Sequence, residues 1–331
     1  MVVDFLLAQK RLPFHPEMLF CVPSMPHPRL NRNSKTCPPA SGDRTNASVV
    51  RDCGAGIGAN SQRRSRKDMV IGALFEECQR TGNFVFHNNR VKEISKQFGF
   101  GNPFDATKLD NKAKLPAVLV ENDYGILHIG GGKHRFIKGI DKLFHDFEEV
   151  ETTVEWPYKQ SRLNQFNSSE SNILSVANNQ RILHHFLFGK DNEFSEPDIL
   201  QRPKTYFPHR TKDSFDYNIG DDVQVKLNNI QIEIDLTLEF KGDICVFEAK
   251  NGKPDSFSIY QIYHPFRYYH KAKVEGRIRD VRNIFCVYVV HDTTGNDDLL
   301  TLWKYTFSDP NDMSTIQMIK STAYKLIRQP A

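Results

Sequence analysis

Several hallmarks of common protein classes are missing from this sequence. No apolar run approaches the roughly 20 residues of a membrane-spanning helix, so we expect no membrane partner. The six cysteines include no CxxC pair, which favours a reducing, cytoplasmic location over a disulfide framework. The glycine-rich segment from Gly130 to His134 fails as a phosphate-binding loop, because Leu127 stands where a glycine is required and His134 where Ser or Thr binds Mg²⁺. The sequence therefore argues against membrane, disulfide-stabilised and P-loop proteins.

Positive charge is unevenly distributed along the chain. The first 67 residues hold 11 Lys and Arg against 4 Asp and Glu, which leaves 33 against 36 for residues 68–331. The same tail is rich in Pro, Ser, Asn, Arg and Gly without sustained periodicity, so we expect residues 1–67 to be disordered, with Met69 a candidate natural start. Because the remaining body is slightly acidic, any basic surface for nucleic acid must be local.

The most informative segment runs from Ile230 to Lys250. Apolar and polar residues alternate along its first half, which is typical of a strand with one buried face. The apolar set is Ile230, Ile232, Ile234, Leu236, Leu238 and Phe240. Lys241 and Gly242 can then turn the chain into a second strand, in which Glu248 and Lys250 share a face. We therefore predict a β-hairpin from Ile230 onward.

The register of this hairpin decides which side chains meet. A two-residue turn places Asp235 directly opposite Glu248, and Glu233 opposite Lys250. Opposed side chains point to the same side with Cβ atoms about 4.5–5.5 Å apart, so two carboxylates repel unless a cation lies between them. Oxygen ligands suit Mg²⁺, which makes this a predicted magnesium site. A turn placed one residue later shifts the pairing by two residues and keeps the three charged side chains on one face.

An aspartate, a hairpin turn and then Glu-x-Lys resembles the pattern of the PD-(D/E)xK nuclease superfamily. Asp235, Glu248 and Lys250 match its three positions, and the chain departs from it at Ile234, where proline is frequent. The resemblance implies that the two carboxylates hold Mg²⁺ and that the lysine orients or activates the attacking water. A bound metal supplies a nucleophile at neutral pH and neutralises charge on a phosphodiester. The alternative is a solvated sheet face without catalytic chemistry.

A helix is predicted before the hairpin, from Ser168 to Gly189. Its apolar residues recur at helical spacing, Ser168 or Ser169 can cap its start, and Gly189 can end it. Glu170 falls in the first turn. The resemblance implies that such an acid joins the metal site, whereas helix electrostatics alone would also favour a carboxylate at this end.

A second helix is predicted after the hairpin, starting from a cap at Asp255 or Ser256 and extending toward Lys273. The resemblance places Gln261 near the scissile phosphate. Arg267 and Lys271 on the same segment are candidate phosphate contacts, or else a solvated basic face. A proline at position 265 should kink or break this helix.

The remaining segments predict the overall architecture. Residues 283–291 form a near-continuous apolar run, as in a strand buried on both faces. Residues 299–307 predict another strand, and residues 314–327 suit either a strand or a short helix. Helix, hairpin, helix and buried strand is the order of a restriction-endonuclease-like α/β/α core with a mixed central sheet. We assign this nuclease domain to residues 155–331.

Residues 68–150 predict a separate, small α+β module. Helical stripes are followed by a short helix starting at Asn102-Pro103 and a hairpin over residues 115–130, an order that resembles a winged helix. Such a module would place a helix in the major groove of DNA, with Lys108 and Lys112 as candidate contacts. The alternative is a helical subdomain that supports the core or a dimer.

These features together favour a type II restriction endonuclease that cleaves double-stranded DNA with Mg²⁺. A homodimer is expected, because a two-fold DNA site matches a two-fold protein. The first alternative is a repair, recombination or mobile-element nuclease of the same fold. The second is a DNA-binding protein with an inactive nuclease-like core.

Overall fold

The N-terminal part of the fold combines short helices with a small sheet. The structure is a computed structural model that describes residues 65–159, 169–189, 202–252, 254–293 and 298–329, so most of the tail predicted to be disordered lies outside the described residues. The elements are α1 (Arg66–Thr81), β1 (Val85–His87), α2 (Asn88–Gln97), α3 (Pro103–Ala106), α4 (Ala117–Asn122), β2 (Tyr124–Gly130) and β3 (Lys133–Lys138). The three strands form an antiparallel sheet in the order β1-β3-β2.

Helix α1 begins upstream of the candidate start at Met69. The Ser65 hydroxyl accepts a hydrogen bond from the Asp68 amide, and the Asp68 carboxylate accepts one from the Ser65 amide, each at 3.1 Å. This reciprocal capping box satisfies two backbone donors that the helix leaves unpaired. Lys67 also donates to the carbonyl of Lys108 at 3.1 Å. Residues 65–68 therefore belong to the folded body.

The prediction of a hairpin over residues 115–130 is wrong for its first half, which is a helix. Pro116 precedes helix α4, and Asp123 ends it in a left-handed conformation with φ of 61°. The β-branched residues of this segment favour a strand locally, but Leu119 is fully buried in the helical arrangement. The actual hairpin pairs β2 with β3 around a turn at Gly130–Gly132.

The larger sheet contains seven strands within the described residues. The remaining elements are β4 (Phe144–Asp146), β5 (Thr153–Tyr158), α5 (Glu170–Asn179), α6 (Ile182–Phe188), β6 (Lys204–Tyr206), β7 (His209–Ile219), β8 (Val223–Ile234), β9 (Leu236–Phe240), β10 (Asp243–Asn251), β11 (Ser256–Ser258), α7 (Tyr260–Val274), β12 (Asn283–Asp292), β13 (Leu299–Phe307) and β14 (Ile316–Arg328). The strand order is β5-β14-β13-β12-β10-β9-β6. The pairs β10–β12 and β14–β5 are parallel and the others antiparallel, so the sheet is mixed. The ambiguous segment near the C-terminus is thus a strand.

Apolar side chains cover both faces of this sheet. Along β10, Ile244 and Val246 join a hydrophobic cluster that includes residues of α7, whereas Cys245 and Phe247 join a second cluster with residues of α5 and α6. The period-two alternation of a strand produces this division. Helices therefore lie on both sides, and the protein is a mixed α/β fold.

The strand predicted from Ile230 to Phe240 is divided in two at Asp235. Upstream of this residue, β8 pairs with β7 in a separate two-stranded sheet, and downstream of it β9 enters the seven-stranded sheet. The apolar alternation is the same in both strands, so the sequence pattern alone does not reveal the bend.

The N-terminal elements share a hydrophobic cluster with the larger sheet. Cluster members extend from Val70 through Phe257 to Met313. Strand β11 pairs with β4, and the Ser258 amide donates to the carbonyl of Asp110 at 2.8 Å. None of the described helices is both long and apolar enough to cross a bilayer.

Candidate active site at the end of strand β10

The turn between β9 and β10 has the first of the two registers that the sequence allowed. Lys241 and Gly242 have φ angles of 48° and 83°, which suit a two-residue hairpin turn, and Phe240 pairs with Asp243. The described pairing of β9 with β10 ends at Leu236 opposite Phe247. Asp235 is the residue that directly precedes Leu236. Continuing this register places the aspartate opposite Glu248.

A backbone hydrogen bond fixes Asp235 against β10. Its Oδ2 atom accepts a hydrogen bond from the amide of Ala249 at 3.1 Å. The bend between β8 and β9 frees this residue from strand pairing, so its carboxylate can take the place of a ladder carbonyl. Asp235 therefore lies beside Glu248 at the far end of the strand.

Lys250 bridges two carboxylates. Its Nζ atom lies 2.7 Å from Oε1 of Glu248 and 3.0 Å from Oε1 of Glu170. Glu170 is the first residue of α5, and the Ser169 hydroxyl caps this helix by accepting from the Asn172 amide. The acid predicted upstream of the hairpin is therefore in direct contact with the lysine of the Glu-x-Lys strand.

Gln261 completes the cluster from the opposite side. Its Nε2 atom donates to Oε1 of Glu248 at 3.0 Å, while its Oε1 atom is buried without a hydrogen-bond partner among the described residues. The residue lies in the first turn of α7. This helix begins at Tyr260 rather than at the predicted cap, because Ser256–Ser258 pairs with β4 as a strand.

The sequence predicted that Pro265 would kink or break helix α7, but the helix does not end there. The helix continues to Val274. Proline removes one intrahelical hydrogen bond, but the surrounding turn is buried in the hydrophobic cluster at Ile262, Tyr263 and Phe266. The upstream helix is in turn interrupted, since Arg181 separates α5 from α6 with φ of 63°.

Negative charge exceeds positive charge in this cluster. Burial raises the pKa of Glu248 to about 8, and the charges of Asp235 and Glu170 add to the rise against the attraction of Lys250. Burial also raises the pKa of Asp235. For Lys250, burial favours the neutral form, but Glu248 and Glu170 reverse this effect and raise its pKa. Three carboxylates therefore lie near one ammonium group, and Glu248 and Glu170 are in direct contact with it.

This donor set fits a hard divalent cation. Oxygen ligands suit Mg²⁺, and the unpartnered Oε1 of Gln261 marks a buried position that lacks a positive or donor group. Among the described residues, no three His, Cys, Asp or Glu side chains are already grouped as a ligand set. Lys250 lies between two of the carboxylates, so binding of a cation would shift its ammonium group away from Glu248.

Comparison with known proteins gives one extensive match. A model described as Domain of unknown function (DUF6997) matches residues 139–325, more than half of the chain. The chain belongs to the DUF6997 family. A second model, Domain of unknown function (DUF6996), matches residues 69–136. No curated protein and no solved structure matches the chain. The candidate site lies wholly within the DUF6997 segment.

The basic residues predicted to contact DNA differ in availability. Lys112 is held at 2.8 Å by both Asp141 and Asp146, so a phosphate would have to displace two carboxylates. Lys108 is exposed, and its described hydrogen bonds involve only its backbone: its amide donates to the carbonyl of Asp105 and its carbonyl accepts from Lys67. Of this pair, Lys108 is the accessible cation.

Two predicted contacts on α7 of the DUF6997 segment are engaged within the fold. Lys271 lies 2.6 Å from Oδ1 of Asp213 in strand β7. Arg267 donates to Oδ1 of Asn311 at 2.8 Å. These bonds tie α7 to neighbouring elements, and both cations lie on the segment after the site rather than in its charged cluster.

Glu233 also differs from prediction, since it pairs with Arg210 at 2.9 Å instead of Lys250.

Two tyrosines beside the site were not anticipated from the sequence. Tyr288 is buried on β12 and pairs in parallel register with Glu248. Tyr260 immediately precedes Gln261, and burial raises its pKa, with the charges of Asp110 and Glu248 adding to the effect. The only sequence signal for Tyr260 is its position next to Gln261, and Tyr288 has none beyond an apolar strand.

Proposed function

We propose that the chain is a Mg²⁺-dependent endodeoxyribonuclease of the PD-(D/E)xK type, and specifically a type II restriction endonuclease. The observation that supports this most is the convergence of Asp235, Glu248, Lys250 and Glu170 at one end of β10. They come from a bend, a strand and a helix that are distant in sequence. A solvated sheet face would not hold Glu248 and Lys250 in contact with side chains only 13% and 21% exposed.

Each residue has a distinct role in this proposal. Asp235 and Glu248 would hold Mg²⁺, with Glu170 as a third carboxylate, and the bound ion would supply Lewis-acid chemistry at the phosphate. Lys250 stays protonated because two carboxylates flank it, so it stabilises negative charge developing on the phosphate rather than accepting a proton. Gln261 orients the Glu248 carboxylate by donating to it.

The architecture around the site supports the DNA substrate. Helices on both faces of a mixed sheet are compatible with the restriction-endonuclease-like core, and the order of helices and strands before it resembles a winged helix. Sequence must be read outside the catalytic cluster, since contacts to phosphates carry no base information. With one such site among the described residues and two strands to cut, the proposal includes a homodimer.

A cleavage assay tests this function. The full chain, incubated with a phage genome and Mg²⁺, should produce discrete and reproducible fragments that disappear with EDTA. Asp235→Asn and Lys250→Ala should both abolish cleavage. Glu239→Gln, on the adjacent β9, is the matched control and should cut normally.

Other outcomes would change the assignment. Uniform degradation, or cleavage restricted to branched or damaged DNA, would favour a repair or recombination nuclease. Binding of duplex DNA without any cleavage would favour an inactive nuclease-like protein. Full activity in Asp235→Asn would refute the assigned site.

A further inference from the structure

Helix α2 presents an exposed polar stripe on one side. Val91, Ile94 and Ser95 are buried against the rest of the N-terminal region. Asn89, Lys92 and Lys96 are exposed, and their spacing of three and four residues places them on one face. The helix therefore has a packed side and a solvent-facing side that carries two lysines and an amide.

The two lysines of this stripe lack acidic partners. Within the part of the chain that the structure describes, neither Lys92 nor Lys96 forms an ion pair, whereas Lys67, Lys112 and Lys114 all do. The ammonium group of Lys92 lies 5.2 Å from the centre of the Phe104 ring, which is 63% exposed. Such a contact holds the lysine side chain while its charge remains at the surface.

The acidic residue on α2 is already neutralised. Glu93 accepts from Arg90 at 2.8 Å, and Arg90 also binds Glu77 of α1 at 2.7 Å. Glu93 lies beside the lysines, four residues after Asn89 and three before Lys96, and its carboxylate is paired with Arg90. The stripe of Asn89, Lys92 and Lys96 is therefore locally positive on a body that is slightly acidic overall.

The glycine turn extends this surface at the start of α2. Gly130, Gly131 and Gly132 all have positive φ angles, and the Gly132 carbonyl accepts from the Asn88 amide at 2.8 Å. A side chain at Gly132 would crowd Asn88, with a Cβ atom 3.1 Å from its Nδ2. Lys133 follows the turn and is exposed. The turn thus places a third cation beside the helix.

We propose that α2 and the Gly130–Gly132 turn form a duplex-DNA-binding surface, with Lys92, Lys96 and Lys133 on phosphates and Asn89 on a base edge. This inference rests on the proposed function for its substrate. Spaced cations without acidic partners match the phosphate backbone. An exposed asparagine between them can form the paired hydrogen bonds that distinguish adenine. The surface differs from the contacts predicted at Lys108 and Lys112.

Binding measurements in a non-cleaving background test this surface. The full-length Glu248→Gln chain is titrated with a short random-sequence duplex over a series of salt concentrations, by fluorescence anisotropy. Adding Lys92→Ala and Lys96→Ala should weaken binding at least about tenfold and lower the salt slope by about two, one per lost phosphate contact. The matched control is Lys212→Ala with Lys226→Ala, exposed lysines on β7 and β8, which should bind within about twofold of the parent. Thermal unfolding should change little in both, since all four side chains are exposed and the contacts of Lys92 with Phe104 and of Lys226 with Asp216 lie at the surface.

Selection of bound sequences tests the role of Asn89. Duplexes enriched by the parent should share a motif, and Asn89→Ala should lose preference at one position while retaining the rest. Equal binding by the α2 variant and the control variant would overturn the inference and leave the nuclease proposal intact. Loss of binding in the α2 variant, together with no cleavage by the natural chain, would support the surface and refute the nuclease. A natural chain that neither binds nor cuts duplex DNA would refute both.

Discussion

Replacing Glu248 with glutamine should inactivate the protein and stabilise it at the same time. Its side chain is only 13% exposed, and burial raises the pKa of its carboxyl group to about 8 from an ordinary value of 4.5. An acid whose pKa is raised in the folded state reduces stability as the pH rises from the unfolded value to the folded value. The penalty is therefore absent below pH 4.5 and complete above pH 8.

The size of this effect follows from the pKa difference. At pH 7 this carboxyl group is ionised in the unfolded chain, 2.5 units above its ordinary pKa of 4.5, and still mostly protonated in the folded chain. Each of these units favours the unfolded state by about 1.4 kcal/mol. Glu248→Gln should thus raise the free energy of unfolding by about 3 kcal/mol at pH 7 and by almost nothing at pH 4.5. Lys250 retains its contact with Glu170 in the variant, so no buried ammonium loses all its partners.

Urea denaturation in EDTA, at several pH values, measures this difference directly. Exposed Glu155→Gln on β5 is the matched control and should change stability at no pH. Adding Mg²⁺ at 100 times its Kd should stabilise the natural protein by about 2.7 kcal/mol and the Glu248→Gln variant much less. A variant that is less stable than the natural protein at pH 7 would show that Glu248 is a structural ion-pair partner instead.

Three further outcomes are expected. Burial lowers the pKa of His134 and His264 to about 3, so below pH 6.5 the unfolded state binds their protons before the folded state does. In the Glu248→Gln background, urea denaturation should show the free energy of unfolding falling by about 1.4 kcal/mol per histidine for each pH unit between 6.5 and about 3. A chain starting at Ser65 should cut DNA like the full chain. A chain starting at Met69 lacks the helix cap, so its free energy of unfolding should be about 1 kcal/mol lower than that of the Ser65 chain, and equal denaturation midpoints would contradict this. Gly242→Ala should destabilise by about 1–3 kcal/mol in thermal unfolding, because φ is 83° and the new Cβ atom would lie 2.8 Å from the carbonyl of Asp280.

Local patterns in the sequence were sufficient for much of the site. The sequence allowed two positions for a two-residue turn, and the one at Lys241 and Gly242 gives the pairing that β9 and β10 have. That register, with period-two alternation, places Asp235 beside Glu248 and both on the side of Lys250. The first turn of a capped helix gave the position of Glu170 on its helix, whereas its place beside Lys250 was only implied by the resemblance to the nuclease superfamily. These inferences depend on neighbours in the chain.

Tertiary structure alone decided what lies opposite these elements. Because the chain bends at Asp235, β8 pairs with β7, and Glu233 forms an ion pair with Arg210 rather than with Lys250. The alternation of apolar residues continues through this bend and does not reveal it. Segment 117–122 became a helix because packing of its buried face outweighs the strand preference of its β-branched residues. The contacts of Lys112 with Asp141 and Asp146 also join separate segments. Such pairings depend on the whole fold, since they form between parts of the chain whose sequences place no constraint on each other.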